Sequence, residues 1–135
     1  MKRVFVDANV FLRLFTQDDD GQHEKAQALF TSAESGKIEL VSGPPVLFEL
    51  AWTLRSAYAV PPGRILDILD AVVAFPSLSL SDQSTVLWAI SMARESGVEF
   101  ADAYIAASAQ ALGADQIATF NVKHFKRLDS ALYHW

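Results

Sequence analysis

The chain has 135 residues, a net charge of −5 from 11 Lys and Arg against 16 Asp and Glu, 51% hydrophobic residues and no cysteine. That length suits one domain with a real core, the composition excludes a disordered chain, and the lack of cysteine excludes disulfides and thiolate metal sites. Charged residues break every long apolar stretch, which excludes a membrane-spanning helix. The acidic balance weighs against tight non-specific binding to nucleic acid, yet suits acids gathered around divalent cations.

Met1-Lys2-Arg3 leads at once into Val4-Phe5-Val6, with no cleavage site, so a cytoplasmic protein without a secretory leader is expected. This short apolar run ends abruptly at Asp7 and reads as a strand buried on both faces, the hallmark of a parallel sheet flanked by helices. In such sheets ligands sit beyond the carboxyl ends of the strands, which is where Asp7 stands. Phe11 to Phe15 reads as a short helix, Thr16 to Gly21 as a polar turn, and Glu24 to Ala33 as a helix closed by Gly36. Ile38 to Ser42 is the second strand.

Pro44 or Pro45 then opens a helix through Arg55 that is apolar nearly all round and should be largely buried. Arg64 to Phe75 is a helix stopped by Pro76, and Ser77 to Leu80 a short alternating strand. Ser81 or Asp82 caps a helix to about Glu95, with Gly97 just past its end. Phe100 opens an Ala-rich helix that closes at Gly113. Gln116 to Phe120 reads as a further strand, Lys123 to Arg127 as a basic loop, and Ala131 to Trp135 as an edge strand. Strands alternating with helices give the α/β class, with a mainly parallel sheet in a three-layer α/β/α sandwich and one domain over residues 1–135.

Three acids interrupt apolar sequence: Asp7, Glu49 and Asp102. A carboxylate at such a position is costly unless it is paired or ligates a metal. Each has a plain structural reading: Asp7 and Asp102 as helix caps or dipole partners, Glu49 as an ion-pair partner of Arg55. Together they suggest one site. Hard oxygen ligands suit Mg²⁺ or Mn²⁺, and the chemistry implied is phosphodiester hydrolysis. Phe48, Trp52, Trp88 and Tyr104 lie at helical spacing in apolar runs and are expected in the core or a dimer interface. An aspartate after a first strand also suits a phosphatase nucleophile, but that chemistry wants a second acid where Asn9 stands.

The segments Val6-Asp7-Ala8-Asn9-Val10, Phe48-Glu49-Leu50, Ala101-Asp102-Ala103-Tyr104 and Thr119-Phe120-Asn121-Val122-Lys123-His124-Phe125 carry a resemblance. In this order the chain resembles the PIN-domain family, and most closely the VapC-type toxins of toxin–antitoxin pairs. The resemblance implies an Mg²⁺- or Mn²⁺-dependent ribonuclease, usually homodimeric and restrained by a small antitoxin. Asp7, Glu49 and Asp102 would be its catalytic acids and metal ligands. Asn9 matches a polar position beside the first acid, and Thr119 a hydroxyl near the site.

The family commonly places a fourth acid at the position of Asn121, of His124, or of both. Here neither is acidic; Asn121 is expected to join the catalytic set by orienting a metal-bound water through its amide, and His124 to ligate a metal or contact phosphate. Substrate contacts are expected from Asn9, Arg13, Thr119, Lys123 and His124, and Glu99 is a further carboxylate on the face of Asp102. The alternative function is a catalytically weak PIN-like module that binds RNA or protein.

Overall fold

A computed structural model describes residues 1–135. The chain divides into two compact units, Met1–Asp82 and Gln83–Trp135. The first holds a three-stranded sheet of β1 (Lys2–Phe5), β2 (Ile38–Ser42) and β3 (Leu78–Leu80), in that order. Both pairings are parallel, with Val4 opposite Leu40 and Leu40 opposite Leu78. The helices of this unit are α1 (Ala8–Phe15), α2 (Asp20–Glu34), α3 (Pro44–Ser56) and α4 (Pro62–Val73). The mixed α/β class with a parallel sheet is therefore as expected.

β1 differs from expectation in one respect. It lies at the edge of the sheet, and Phe5 is 62% exposed, so the strand is not buried on both faces. Val6, just past the strand, is the buried residue, and its amide still donates to the Val41 carbonyl. The middle strand is the sheltered one, with Leu40 fully buried.

Local sequence accounts for the helices of this unit. α1 buries Ala8, Phe11 and Leu12, an i, i+3, i+4 stripe. Phe11 packs on Phe30 of α2 at 5.9 Å between ring centroids, and Phe30 on Phe75 at 4.7 Å. α2 starts earlier than its apolar stripe implies, because the Asp19 carboxylate accepts from the Gln22 amide and caps it. α3 begins with Pro44 in its first turn, as expected, but it is not buried all round. It buries Val46, Leu47, Leu50 and Leu54, while Pro45, Glu49 and Trp52 line an exposed face.

The second unit contains α5 (Gln83–Ser96), α6 (Phe100–Ala111) and α7 (Val122–Arg127). α5 buries Val86, Ala89, Ile90 and Ala93, and α6 buries Ala103, Ala106 and Ala107. Small residues at i, i+3 and i+4 let these helices approach closely. Asp82, before α5, has φ 52°, not the extended backbone of a capping residue. Gly97 closes α5 with φ +72°, and a Cβ there would meet the Arg127 guanidinium at 2.8 Å.

Two expectations fail in this unit. The strands expected at 116–120 and 131–135 shrink to one parallel bridge between Ile117 and Leu132. Gln116 and Ala118 are exposed, so no apolar face exists to extend the pairing. The Thr119 hydroxyl also accepts from the Asn121 amide, a local turn that ends the extended run. The basic loop is instead α7, which buries Phe125, while Leu128 just beyond it is also buried. That i, i+3 pair supplies a packing face, and cations in the last turn complement the helix dipole. No helix is long and apolar enough to cross a membrane.

Candidate functional site

In the first unit the residues of interest gather where the parallel strands end. The Ser42 hydroxyl, buried at the end of β2, donates to the Val6 carbonyl at 2.9 Å. It fixes the backbone just before Asp7. Gly43 follows, where a Cβ would meet the Ser81 hydroxyl at 2.8 Å, so a larger residue here would have to displace that side chain. Asp7 occupies the N-cap position of α1 with extended backbone (φ −84°, ψ 163°), yet its side chain makes no capping hydrogen bond. The capping role weighed from sequence is not what this carboxylate does. It is exposed, as is Asn9 two residues on.

Glu49 lies in the second turn of α3, on the exposed face. Arg13, expected at phosphate, is held inside the first unit. Its Nη1 donates to Asp18 and to the Tyr58 hydroxyl, both at 3.2 Å, and its Nε to Gln22 at 2.6 Å. The hydroxyls of Tyr58 and Thr16 also donate to Asp18. The Tyr58 hydrogen bond, then that of Thr16, then the Arg13 charge hold the Asp18 carboxyl below the usual carboxylate range.

In the second unit the structure joins residues that the sequence leaves separate. Asp102 is in the first turn of α6, where an acid favours the helix dipole. Its Oδ2 lies 2.9 Å from His124 Nδ1 on α7, and the same Nδ1 lies 2.9 Å from Asn121 Nδ2. One nitrogen cannot accept from an amide while donating to a carboxylate. With the proton on Nδ1, His124 donates to Asp102 and does not also accept from the Asn121 amide. Thr119 enters through its hydroxyl, which accepts from the Asn121 amide at 3.0 Å. Lys123 is exposed on α7, and Glu99 stands outside α6 at its N-cap position.

Neither unit by itself gathers three His, Asp or Glu side chains into a metal-holding group. Each unit, taken by itself, carries hard oxygen donors of the kind divalent cations take. Asp7 offers carboxylate oxygens not spent on its helix, and Asp102 commits Oδ2 to a hydrogen bond with His124.

Sequence reasoning passed over one feature. Phe120, Tyr133 and Trp135 form an exposed aromatic cluster beside this network. Phe120 stacks on Trp135 with centroids 4.8 Å apart and planes at 15°, and Tyr133 meets Trp135 edge-on at 5.3 Å. The signal was present: Tyr133 and Trp135 alternate at the period of two that puts them on one side of an extended chain. Of the four aromatics expected in the core or a dimer interface, Phe48 and Tyr104 are half-buried. Trp52 is 68% exposed and Trp88 about half exposed, so neither is a core residue.

The family model for the PIN domain matches residues 4–131, a span that includes parts of both units. No curated protein gives a significant match. PIN domains are generally nucleases and typically use divalent metals.

Proposed function

The chain belongs to the PIN-domain family, and from that membership we propose that it is a metal-dependent endoribonuclease, the toxin of a toxin–antitoxin pair. The observation that carries this reading is Asp7: a carboxylate at the carboxyl edge of a parallel sheet, left unspent by the helix it precedes. Asp7, Glu49 and Asp102 would hold Mg²⁺ or Mn²⁺. Bound there, such a cation would neutralise charge on the phosphoryl oxygens during in-line displacement.

The remaining roles belong to side chains. Asn121 orients a water or a phosphate oxygen through its amide. His124, with Nδ1 donating to Asp102, fixes that carboxylate and presents Nε2 to substrate. Lys123 and Asn9 contact the phosphate backbone. Arg13 joins them as a guanidinium already held in place by Asp18 and Tyr58. Water adds to phosphorus as the bond to the leaving ribose oxygen breaks; the attacking water gives a proton to solvent, and the leaving ribose oxygen takes one from solvent to become a hydroxyl. A homodimer and a small antitoxin complete the reading.

Asp7→Asn and Asp102→Asn test it directly. Each is expected to abolish RNA cleavage and growth toxicity. Asp7→Asn also leaves unfolding in urea unchanged, since no capping bond is lost. Excess EDTA stops cleavage by the native protein and Mn²⁺ restores it. Either variant cleaving normally with Mn²⁺ would place the chemistry elsewhere.

A second reading, a PIN-like binding module with weak catalysis, draws on one observation. His124 stands where the family often has an acid, and it engages Asp102 Oδ2. Purified protein that binds RNA but shows no EDTA-sensitive cleavage would favour it.

A further inference from the structure

We propose that Phe120, Trp135 and Tyr133 form a stacking platform for unpaired bases of single-stranded RNA, next to the Asp102–His124–Asn121 network. The choice of RNA rests on the nuclease reading; the platform rests on its own geometry. Phe120 is 84% exposed, Trp135 74% and Tyr133 50%, so these rings contribute little to the core. They are nonetheless ordered on one another, with Phe120 nearly parallel to Trp135 and Tyr133 bracing its edge. Flat, pre-oriented aromatic surface open to solvent is what an unstacked base binds, at about 1–3 kcal/mol per base.

The cations of α7 favour nucleic acid over an apolar partner locally, although Glu95, Glu99, Asp102, Asp115 and Asp129 outnumber the basic residues of Gln83–Trp135. Arg94, Lys123, Lys126 and Arg127 are the Lys and Arg residues of Gln83–Trp135, and the last three lie on α7, immediately after Phe120. Arg127 is anchored by donating to the Ser96 carbonyl at 2.8 Å, while Lys123 and Lys126 are exposed on α7. Position relative to the acid also fits. Phe120 adjoins Asn121, whose amide meets His124, which in turn meets Asp102. A base on the platform therefore lies within a few residues' reach of the Asp102 carboxylate. Bases inside a duplex are stacked on each other and offer no free face, so the platform discriminates against paired RNA.

The test is titration of the whole chain with a short dye-labelled oligoadenylate, with affinity read from the anisotropy of the dye and contact with Trp135 from tryptophan emission, in EDTA so that nothing is cleaved. The same strand annealed to oligouridylate serves as the duplex control. The single strand is expected to quench tryptophan emission and the duplex to bind much more weakly. Phe120→Ala and Trp135→Ala should each weaken binding about tenfold, with far-UV circular dichroism unchanged. Trp135→Phe should keep the affinity but lose most of the quench, which separates Trp135 from the exposed Trp52 and Trp88.

Unchanged affinity in both alanine variants overturns the proposal, as does equal binding of the duplex. A shift in sedimentation of these variants with unchanged RNA affinity would assign the cluster to contact between copies, and also overturns it. Absence of cleavage with Mn²⁺ alongside a normal quench would defeat the nuclease reading and leave the platform standing. Normal cleavage without the aromatic dependence would do the reverse.

Discussion

Asp18 and Asp7 show how two carboxylates 11 residues apart take different roles. Asp18 receives hydroxyls from Tyr58 and Thr16 and faces Arg13, while Asp7 has no capping partner in α1. Because the folded state lowers the pKa of Asp18, it favours the charged form. The resulting stabilisation is complete above the ordinary carboxylate range, declines as pH falls through it, and vanishes below the folded value. Asp18→Asn is therefore expected to flatten the acid limb of stability against pH, measured by urea unfolding between neutral pH and about pH 3. The side chain is solvent-exposed, so the change is small in size but fixed in sign.

The helices of the first unit separate an acid that caps from the acid proposed to act in catalysis. α2 is capped by Asp19, whose carboxylate accepts from the Gln22 amide at 3.0 Å. Asp19→Ala should cost about 1 kcal/mol in unfolding free energy, with RNA cleavage unaffected. Asp7→Asn should have the opposite profile, stable but inactive. The contrast distinguishes a structural acid from a working one within a single α/β unit. α7 carries a related lesson. Read by charge, Lys123 to Arg127 is a basic turn; read by its buried Phe125 and Leu128, it is a short helix. The packing pair decides the backbone, and the cations then decorate its exposed side.

Taken whole, the chain is acidic, with a net charge of −5, so nucleic acid must be held by few cations in the right place. If Lys123 and Lys126, with or without Arg127, make the phosphate contacts, two or three counterions are released on binding. The slope of log affinity against log salt concentration for a single strand should then be shallow, roughly −1.4 to −2. Titrating oligoadenylate at several salt concentrations in EDTA checks this. A much steeper slope would require a larger basic surface than α7 offers. Affinity with so little charge would have to come from stacking, which is the contribution the aromatic cluster supplies.

Sequence by itself determined the elements whose cause is local. The Ile38–Ser42 strand, the proline-started α3, the apolar stripe of α4 and the glycine after α5 follow from periodicity and turn chemistry among near neighbours. The placing of Asp7 just past the first strand was legible for the same reason. Tertiary structure alone decided that β1 is an edge strand, because sheet order depends on which distant segments pair. It also decided that Asp102 meets His124, 22 positions away, and that Phe120 stacks on Trp135. Neither pair shares a helix turn or a strand register, so no short-range pattern encodes the contact. Folding brings them together through the packing of α6 with α7 and the single bridge between Ile117 and Leu132.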